Sequence, residues 1–393
     1  MSRRKHYDVA IIGLGTMGSF AAVELARRGF SVVGFDQFTP PHGRGSHSGS
    51  TRVYRIAYPE GTGYVQLAQR AGELWDQASE QLGTQLLHRT GMLYMGVPDQ
   101  RFIQEIEESA STNRLPVERL SADAVHRRYP AFELEEEYVG VFDVQAGWID
   151  VDASITSSLA QAQALGVECV FDQPVQRWDA SAGKVRVHLQ NGTITAANLI
   201  LTAGAWTGNL LRELHLPLAV KRKVIAWFDP LSPELFAADR IPVFAFAENM
   251  TYGFPSVPGM GVKMAEHAGG SYLPHADSPV SAPGPADLDP IAAMAAKYMP
   301  KLAGGYPESR SRLQRSTTCL YTVTPDENFI VDHHPEFNNV VFAAGFSGHG
   351  FKFAPLIAVA LADLVEQLKT SLPIGFLSLR RFSAQAFSRE QEK

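Results

Sequence analysis

Cysteine is scarce in this chain: Cys169 and Cys319 are the only two in 393 residues. Two thiols provide neither a disulfide framework nor a thiolate zinc site, so no metal centre is expected, and a reducing, cytoplasmic setting suits the chain. An excess of positive charge is missing as well, with 35 Lys and Arg against 41 Asp and Glu and a formal net charge of -6. That balance excludes a general basic field for holding nucleic acid or an anionic membrane, and any cation that matters must act locally. Long apolar runs are absent too. The longest, "FAPLIAVALADLV", is interrupted by Asp363 and is too short to span a bilayer. The start "MSRRKHYDVAIIGLG" has the basic head and short apolar stretch of a secretory signal, but its glycines have a better use, described below. The end, "REQEK", carries no "SKL" peroxisomal address.

What is present is the balance of a soluble globular protein, 45% apolar and 19% charged, in a chain long enough for about two domains. "YDVAIIG" reads as a strand, "LGTMGSFAAVELARRG" as a helix and "FSVVGFD" as a second strand, a βαβ opening for a parallel sheet. Leu67, Ala71, Leu74, Ala78 and Leu82 recur at helical spacing over 64–82. "LLHRTGMLYMG" reads as strand, turn, strand; 99–128 as a charged, looser helical stretch; "YVGVFDVQAGWIDV" as strands; "SITSSLAQAQALG" as a helix. Asn191-Gly192 between alternating Val185, Val187, Leu189 and Ile194 predicts a hairpin. "PLAVKRKVIAWF", "VFAFAENMTYGFPSV" and "GVKMAEH" predict an antiparallel sheet, followed by a Pro- and Gly-rich link over 268–290 and a helix at "DPIAAMAAKYM". "NVVFAAGFSGHG" then predicts a strand, with a helix from Ala354 that tolerates Pro355 in its first turn. The expected fold is therefore α/β: a discontinuous domain of 1–84, 147–216 and 320–393, carrying an α+β antiparallel-sheet domain of 85–146 and 217–319.

Gly13, Gly15 and Gly18 have the G-x-G-x-x-G spacing between the first strand and the first helix. Such a turn lets a pyrophosphate approach the backbone at the positive end of a helix. Asp36 closes the second strand, where a carboxylate takes the ribose hydroxyls of an adenosine. The pattern serves NAD and FAD equally. Cys319 raises a separate question, because its neighbours in "RSTTCLYT" are hydroxyl-bearing, whereas a free cysteine usually sits among apolar groups. Cys169, in "GVECVF", has the neighbours of a buried strand.

The glycine fingerprint, "PPHGRGSHSGSTRVYRIAY", "TAGAW", "YGFPS", "TTCLYT" and "AAGFSGHGFKFAP" follow one another in an order that resembles the monomeric sarcosine oxidase and N-methyltryptophan oxidase family, within the D-amino-acid-oxidase-like flavoproteins. The resemblance covers nearly the whole chain. It implies a Rossmann-type FAD-binding domain with an inserted substrate domain. The implied enzyme is a monomer that oxidises N-methyl or other secondary amino acids with oxygen, giving an imine and hydrogen peroxide. It also implies a thioether between Cys319 and the flavin, which would explain the placing of that cysteine. Carried over by motif, Arg55 and Lys352 grip the substrate carboxylate, Arg52 lies beside the flavin ring and Lys263 activates oxygen. Tyr252, His267, Tyr321 and His349 line the substrate cavity, and His349 sits in the glycine loop "SGHG". Ser46, Thr51, Gly204, Gly345 and Gly348, with Arg52 and Lys352, fall at further cofactor-contacting positions.

Read from the residues alone, "SGS" ahead of Thr51 predicts a helix start that puts Arg52 and Arg55 on one face. Lys263 alternates with Val262 and Met264 on a predicted strand, so it can point inward. Close family members carry histidine and aspartate where this chain has Ser48 and Ser50, which bears on the flavin's potential and its attachment. Glu266 adds a negative charge beside Lys263 in the sequence. "VKRKVIAWF" and "EHAGG" lean toward the N-methyltryptophan branch, with sarcosine and pipecolate open. Three alternatives remain: a flavin enzyme that passes electrons to another acceptor, an NAD-dependent reductase, and a non-enzymatic nucleotide-binding module.

Overall fold

The computed structural model describes residues 6–58, 61, 63–181, 183–257 and 259–382. Residues 1–5 of the leader-like start and the "REQEK" end lie outside the described residues. The strand His6–Ile12 is buried without interruption from Val9 to Ile12, as a strand covered on both faces must be. It pairs in parallel with Val32–Phe35 on one side and Gly192–Leu201 on the other, at the centre of an eight-stranded sheet. The hairpin forms as the sequence predicts, Lys184–Leu189 returning through Gln190 and Asn191 into Gly192–Leu201. The helix Thr16–Arg27 packs against Val151–Ala164 and Ala354–Gln367 on one face of this sheet. The helix Gly63–Leu82 joins the layer through the fully buried Trp75, whose ring meets Phe20 edge-on at 5.0 Å.

A nine-stranded sheet is made by Met92–Gly96, Val117–Ser121, Val139–Asp143 and the strands between 219 and 323. Its longest pairing joins Ala219–Phe228 to Leu313–Val323, with Lys223 opposite Cys319 and Lys221 opposite Tyr321. The expected antiparallel order holds except where Val243–Phe246 runs parallel to Met92–Gly96. Its outer core is aromatic: Phe132, Phe244 and Phe246 cluster with Tyr298 of the helix Pro285–Tyr298, whose ring stacks on Phe246 at 4.4 Å. Strands of the two sheets come from alternating stretches of the chain, so the polypeptide crosses between them repeatedly. No described helix is long and apolar enough to cross a membrane.

Three local expectations are corrected. The segment after "SGS" is a strand, Thr51–Tyr54, in a small sheet with Gly147–Asp150 and Leu87–His88, and is not a helix start. The β-branched Thr51 and Val53, together with Tyr54, favour extended backbone, and an antiparallel partner outweighs the capping signal. The loose helical stretch at 99–128 is divided: helix Arg101–Thr112, strand Val117–Ser121, helix Ala122–Arg128. The Pro- and Gly-rich link contains a short strand, Ser271–Leu273, and its helix begins at Pro285, ahead of "DPIAAMAAKYM".

Candidate active site

A cavity of about 450 Å³ runs between the two large sheets. At one end it meets Gly13, Gly15 and Asp36, and at the other Arg55, Tyr252, His267, Tyr321, His349 and Lys352. Ser46, Arg52, Gly204, Gly345 and Gly348 also border it. Gly18, Thr51, Lys263 and Cys319 are buried behind the wall. The structure therefore brings together residues as far apart in sequence as Gly13 and Lys352.

The glycine end fits a pyrophosphate. Thr16–Arg27 begins at Gly15 with no side-chain cap, which leaves its first N–H groups for a ligand. Gly13 has φ +97°, and a side chain there would meet the Thr202 carbonyl oxygen at 2.5 Å. At Gly18 a Cβ would stand 1.8 Å from the Gly13 carbonyl oxygen, so only glycine lets the helix approach the strand. Asp36 accepts from the backbone N–H of Leu14 at 2.9 Å and of Phe38 at 3.0 Å. Burial raises its pKa, against the lowering effect of those N–H groups. This set of donors and small residues fits the adenosine diphosphate half of FAD.

The loop 46–51, which lines the cavity at Ser46 and His47, is held by Arg52 and Lys263. Arg52 donates to the carbonyls of Ser46 and Ser48, both at 2.6 Å, and of Thr51 at 2.7 Å. Lys263, on Gly261–Glu266, donates to Gly49 O at 2.8 Å and to Thr51 O and Oγ1 at 2.6 and 2.9 Å. Burial, and then the nearby Arg52, push the Lys263 pKa well below its ordinary value. His47, stripped of water in the same loop, is lowered to about 3.

Cys319 does not have the surroundings that its sequence suggests. Side chains alternate along Leu313–Val323, so Thr318 and Leu320 face away from Cys319. Its sulfur belongs to a cluster of Ile225, Trp227, Ala265 and Tyr321. Burial raises the thiol pKa, while Arg52, Lys263 and Lys223 pull it down.

At the far end, Lys352 is 3% exposed and donates to His349 O at 2.7 Å. The Tyr252 and Tyr321 hydroxyls are both raised, by burial first, and the Tyr321 shift is large. His267 lies 5.8 Å from the Tyr321 ring, centroid to centroid. Two residues that sequence reasoning missed belong here. Lys223, 3% exposed, donates to the carbonyls of His267, at 2.9 Å, and Gly269, and burial lowers it to about 8. Its only signal was a third consecutive basic residue, after Lys221 and Arg222, directly ahead of the apolar run "VIAWF". Tyr58, in "TRVYRIAY", lies against Arg55, His349 and Lys352.

The family described as FAD dependent oxidoreductase matches residues 8–364, and the chain belongs to it. Within that class it is similar to the monomeric sarcosine oxidase of a Bacillus species (strain B-0618), 35% identical over 96% of each chain. It is also similar to the N-methyl-L-tryptophan oxidase of Salmonella arizonae, 33% identical over 96% of this chain and 99% of that one. The fold is shared with NikD, an unusual amino acid oxidase essential for nikkomycin biosynthesis, with TM-score 0.83, 23% identity and 95% and 98% of the two chains covered. It is shared as well with the L-proline dehydrogenase of P. horikoshii, with TM-score 0.84, 20% identity and 98% and 99% covered. The expected architecture holds: a Rossmann-type FAD-binding domain with a substrate domain, in an FAD-dependent oxidoreductase.

Proposed function

We propose that this enzyme oxidises the C–N bond of an N-methyl or other secondary amino acid, of the N-methyl-L-tryptophan or sarcosine type. Two electrons and two protons leave the substrate and reduce O2 to hydrogen peroxide. The imine takes up water and separates into the demethylated amino acid and formaldehyde. The observation that carries this reading is the cavity end where two cations, Arg55 and Lys352, stand beside Tyr252, His267, Tyr321 and His349. A carboxylate is the group that two such cations hold, through charge-assisted hydrogen bonds. FAD, when bound, supplies the electron sink for the C–N electron pair.

The protein's own residues orient and stabilise. Arg55 and Lys352 place the substrate carboxylate, and the aromatic and histidine wall excludes water from the reacting carbon. Arg52 keeps a fixed positive charge beside the flavin position, and Lys263, whose pKa burial pushes well below its ordinary value, is proposed as the group that meets oxygen. Both side chains hold the loop 46–51 in place through backbone carbonyls. Cys319 is proposed as a thioether anchor for FAD, with Ser46, Thr51, Gly204, Gly345 and Gly348 at further contacts. The segments 1–84, 147–216 and 320–393 are proposed as the FAD-binding domain, and 85–146 and 217–319 as the substrate domain. A reducing, cytoplasmic setting is in keeping with the two cysteines, and a monomer with the family resemblance.

The test is acid precipitation of the purified yellow protein, followed by peroxide and formaldehyde assays with N-methyl-L-tryptophan, sarcosine and pipecolate. Colour should stay in the pellet and move to the supernatant in Cys319→Ala. A wild-type supernatant that is yellow overturns the anchor. No peroxide from any N-methyl amino acid, with formaldehyde formed only when a dye acceptor is supplied, makes the enzyme a dehydrogenase. Oxidation of pipecolate alone moves the substrate to cyclic amino acids.

A further inference from the structure

We propose that Tyr58 is the positioning residue of the carboxylate clamp, fixing Lys352 and Arg55 relative to each other and to His349. The inference rests on the clamp reading given above. Tyr58 is 1% exposed and follows Arg55 by three residues, just beyond the strand Thr51–Tyr54. One face of the problem is the ring. The Arg55 guanidinium carbon lies 4.5 Å from its centroid and Lys352 Nζ lies 5.0 Å from it, so both cations lie against one aromatic ring. Tyr64 stacks on the same ring at 5.1 Å and 28° and holds its plane.

The hydroxyl group does the rest, and its hydrogen-bond directions follow from the partners. Lys352 Nζ lies 3.2 Å from the Tyr58 oxygen, and an ammonium can only donate. The Tyr58 proton is then turned toward His349 Nδ1, 2.5 Å away, which accepts it. His349 Nε2 lies 3.0 Å from the Glu327 carbonyl oxygen, and a carbonyl can only accept, so the ring proton is on Nε2. These contacts form one donor chain: Lys352 donates to Tyr58, Tyr58 to His349, and His349 to the Glu327 carbonyl.

Two consequences follow. His349 is kept neutral and in one tautomer beside the clamp, so its ring adds no third positive charge. Lys352, which also donates to His349 O at 2.7 Å, has its flexible stem ordered before substrate arrives. Ordering a long side chain in advance is how a site gains affinity without a new contact.

The test uses the FAD-loaded enzyme. Acetate binding is followed by the change in flavin absorbance, with acetamide as the neutral counterpart, in wild type, Tyr58→Phe, Lys352→Met and the double variant. Phenylalanine keeps the ring and removes only the hydroxyl. The expected result is an acetate affinity about tenfold lower in Tyr58→Phe with acetamide unchanged, and less than about twofold further loss when the change is added to Lys352→Met, because the hydroxyl acts through that lysine. Unchanged acetate affinity, or a full tenfold loss repeated in the Lys352→Met background, overturns the role of Tyr58. Wild-type enzyme that binds acetate no better than acetamide overturns the clamp reading itself. If Tyr58→Phe does not fold, His349→Gln removes the acceptor while leaving the tyrosine; the same selective loss is expected, and its absence overturns the proposal.

Discussion

At the scale of single residues, the clamp carries the first prediction. Charge-assisted hydrogen bonds are worth about 1.5–3 kcal/mol each, so Lys352→Met or Arg55→Met should raise KM for a carboxylate substrate about 10- to 100-fold. The matching methyl ester should lose little, and an equal loss for acid and ester would remove the clamp. Lys223 carries the second. Its ammonium, lowered to about 8 by burial and then by Lys221, and raised in part by Cys319 and Glu266, ties down the backbone of His267. As pH rises through about 8 the charge is lost, those donations weaken and KM should climb. In Lys223→Met, KM should be high already and this alkaline step absent; a step that persists would assign it to another group. Stability moves the other way. The folded value lies below the ordinary 10.5, so between about 8 and 10.5 the unfolded chain holds more protons and this group's contribution to stability increases with pH. Denaturant melts of wild type and Lys223→Met across that window check the sign.

At the scale of elements, the cradle depends on how closely one helix approaches one strand. The Cβ of Gly18→Ala would fall 1.8 Å from Gly13 O and 2.8 Å from Thr202 Oγ1, and the backbone atom cannot move aside as a side chain would. Overpacking of this kind costs about 1–3 kcal/mol, and here it also turns the helix N–H groups away from the pyrophosphate. Gly18→Ala should therefore unfold at lower temperature and purify without bound FAD. Gly29→Ala is the comparison: φ is +88°, but nothing lies within 4 Å of the added carbon, and the residue does not border the cavity. It should cost about 1 kcal/mol of backbone strain and keep its cofactor, as visible absorbance would report. The element that sequence reasoning misassigned, Thr51–Tyr54, belongs to the same scale. "SGS" is a genuine capping pattern, but Trp148 and Ile149 lie opposite Val53 and Arg52 across the sheet, and a window on one segment cannot see them. Arg55 lies just past the strand end, so it reaches the cavity without the helical spacing that was expected to align it with Arg52.

At the scale of the whole molecule, the cavity joins the two large sheets, since Gly13 comes from one and Tyr252, His267 and Tyr321 border it from the other. A ligand seated there stabilises both at once. In Cys319→Ala, where FAD should be exchangeable, a concentration a hundredfold above Kd should add about 2.7 kcal/mol to the free energy of unfolding. Calorimetry should show the thermal transition rising as a unit. A titration that moves one of two resolved transitions and leaves the other in place would show that the cofactor belongs to one sheet alone.

The sequence by itself determined the βαβ opening, the hairpin signalled by Asn191-Gly192, the antiparallel runs and the glycine cradle. Each rests on contacts or steric limits within a few residues: periodic burial, a tight turn, and the room a glycine leaves. Its ordered motifs also pointed to the family that the comparisons bear out over residues 8–364. Only the tertiary structure decided which side chains meet. Cys319 turned out to sit among apolar residues facing three cations, because strand alternation and cross-strand register, and not sequence neighbours, set its surroundings. Lys223 and Tyr58 escaped notice because a lysine in a strand and a tyrosine in a loop look ordinary until the chain closes on itself. The partners that give them work, the His267 carbonyl 44 positions away and His349 at 291, are supplied by folding alone.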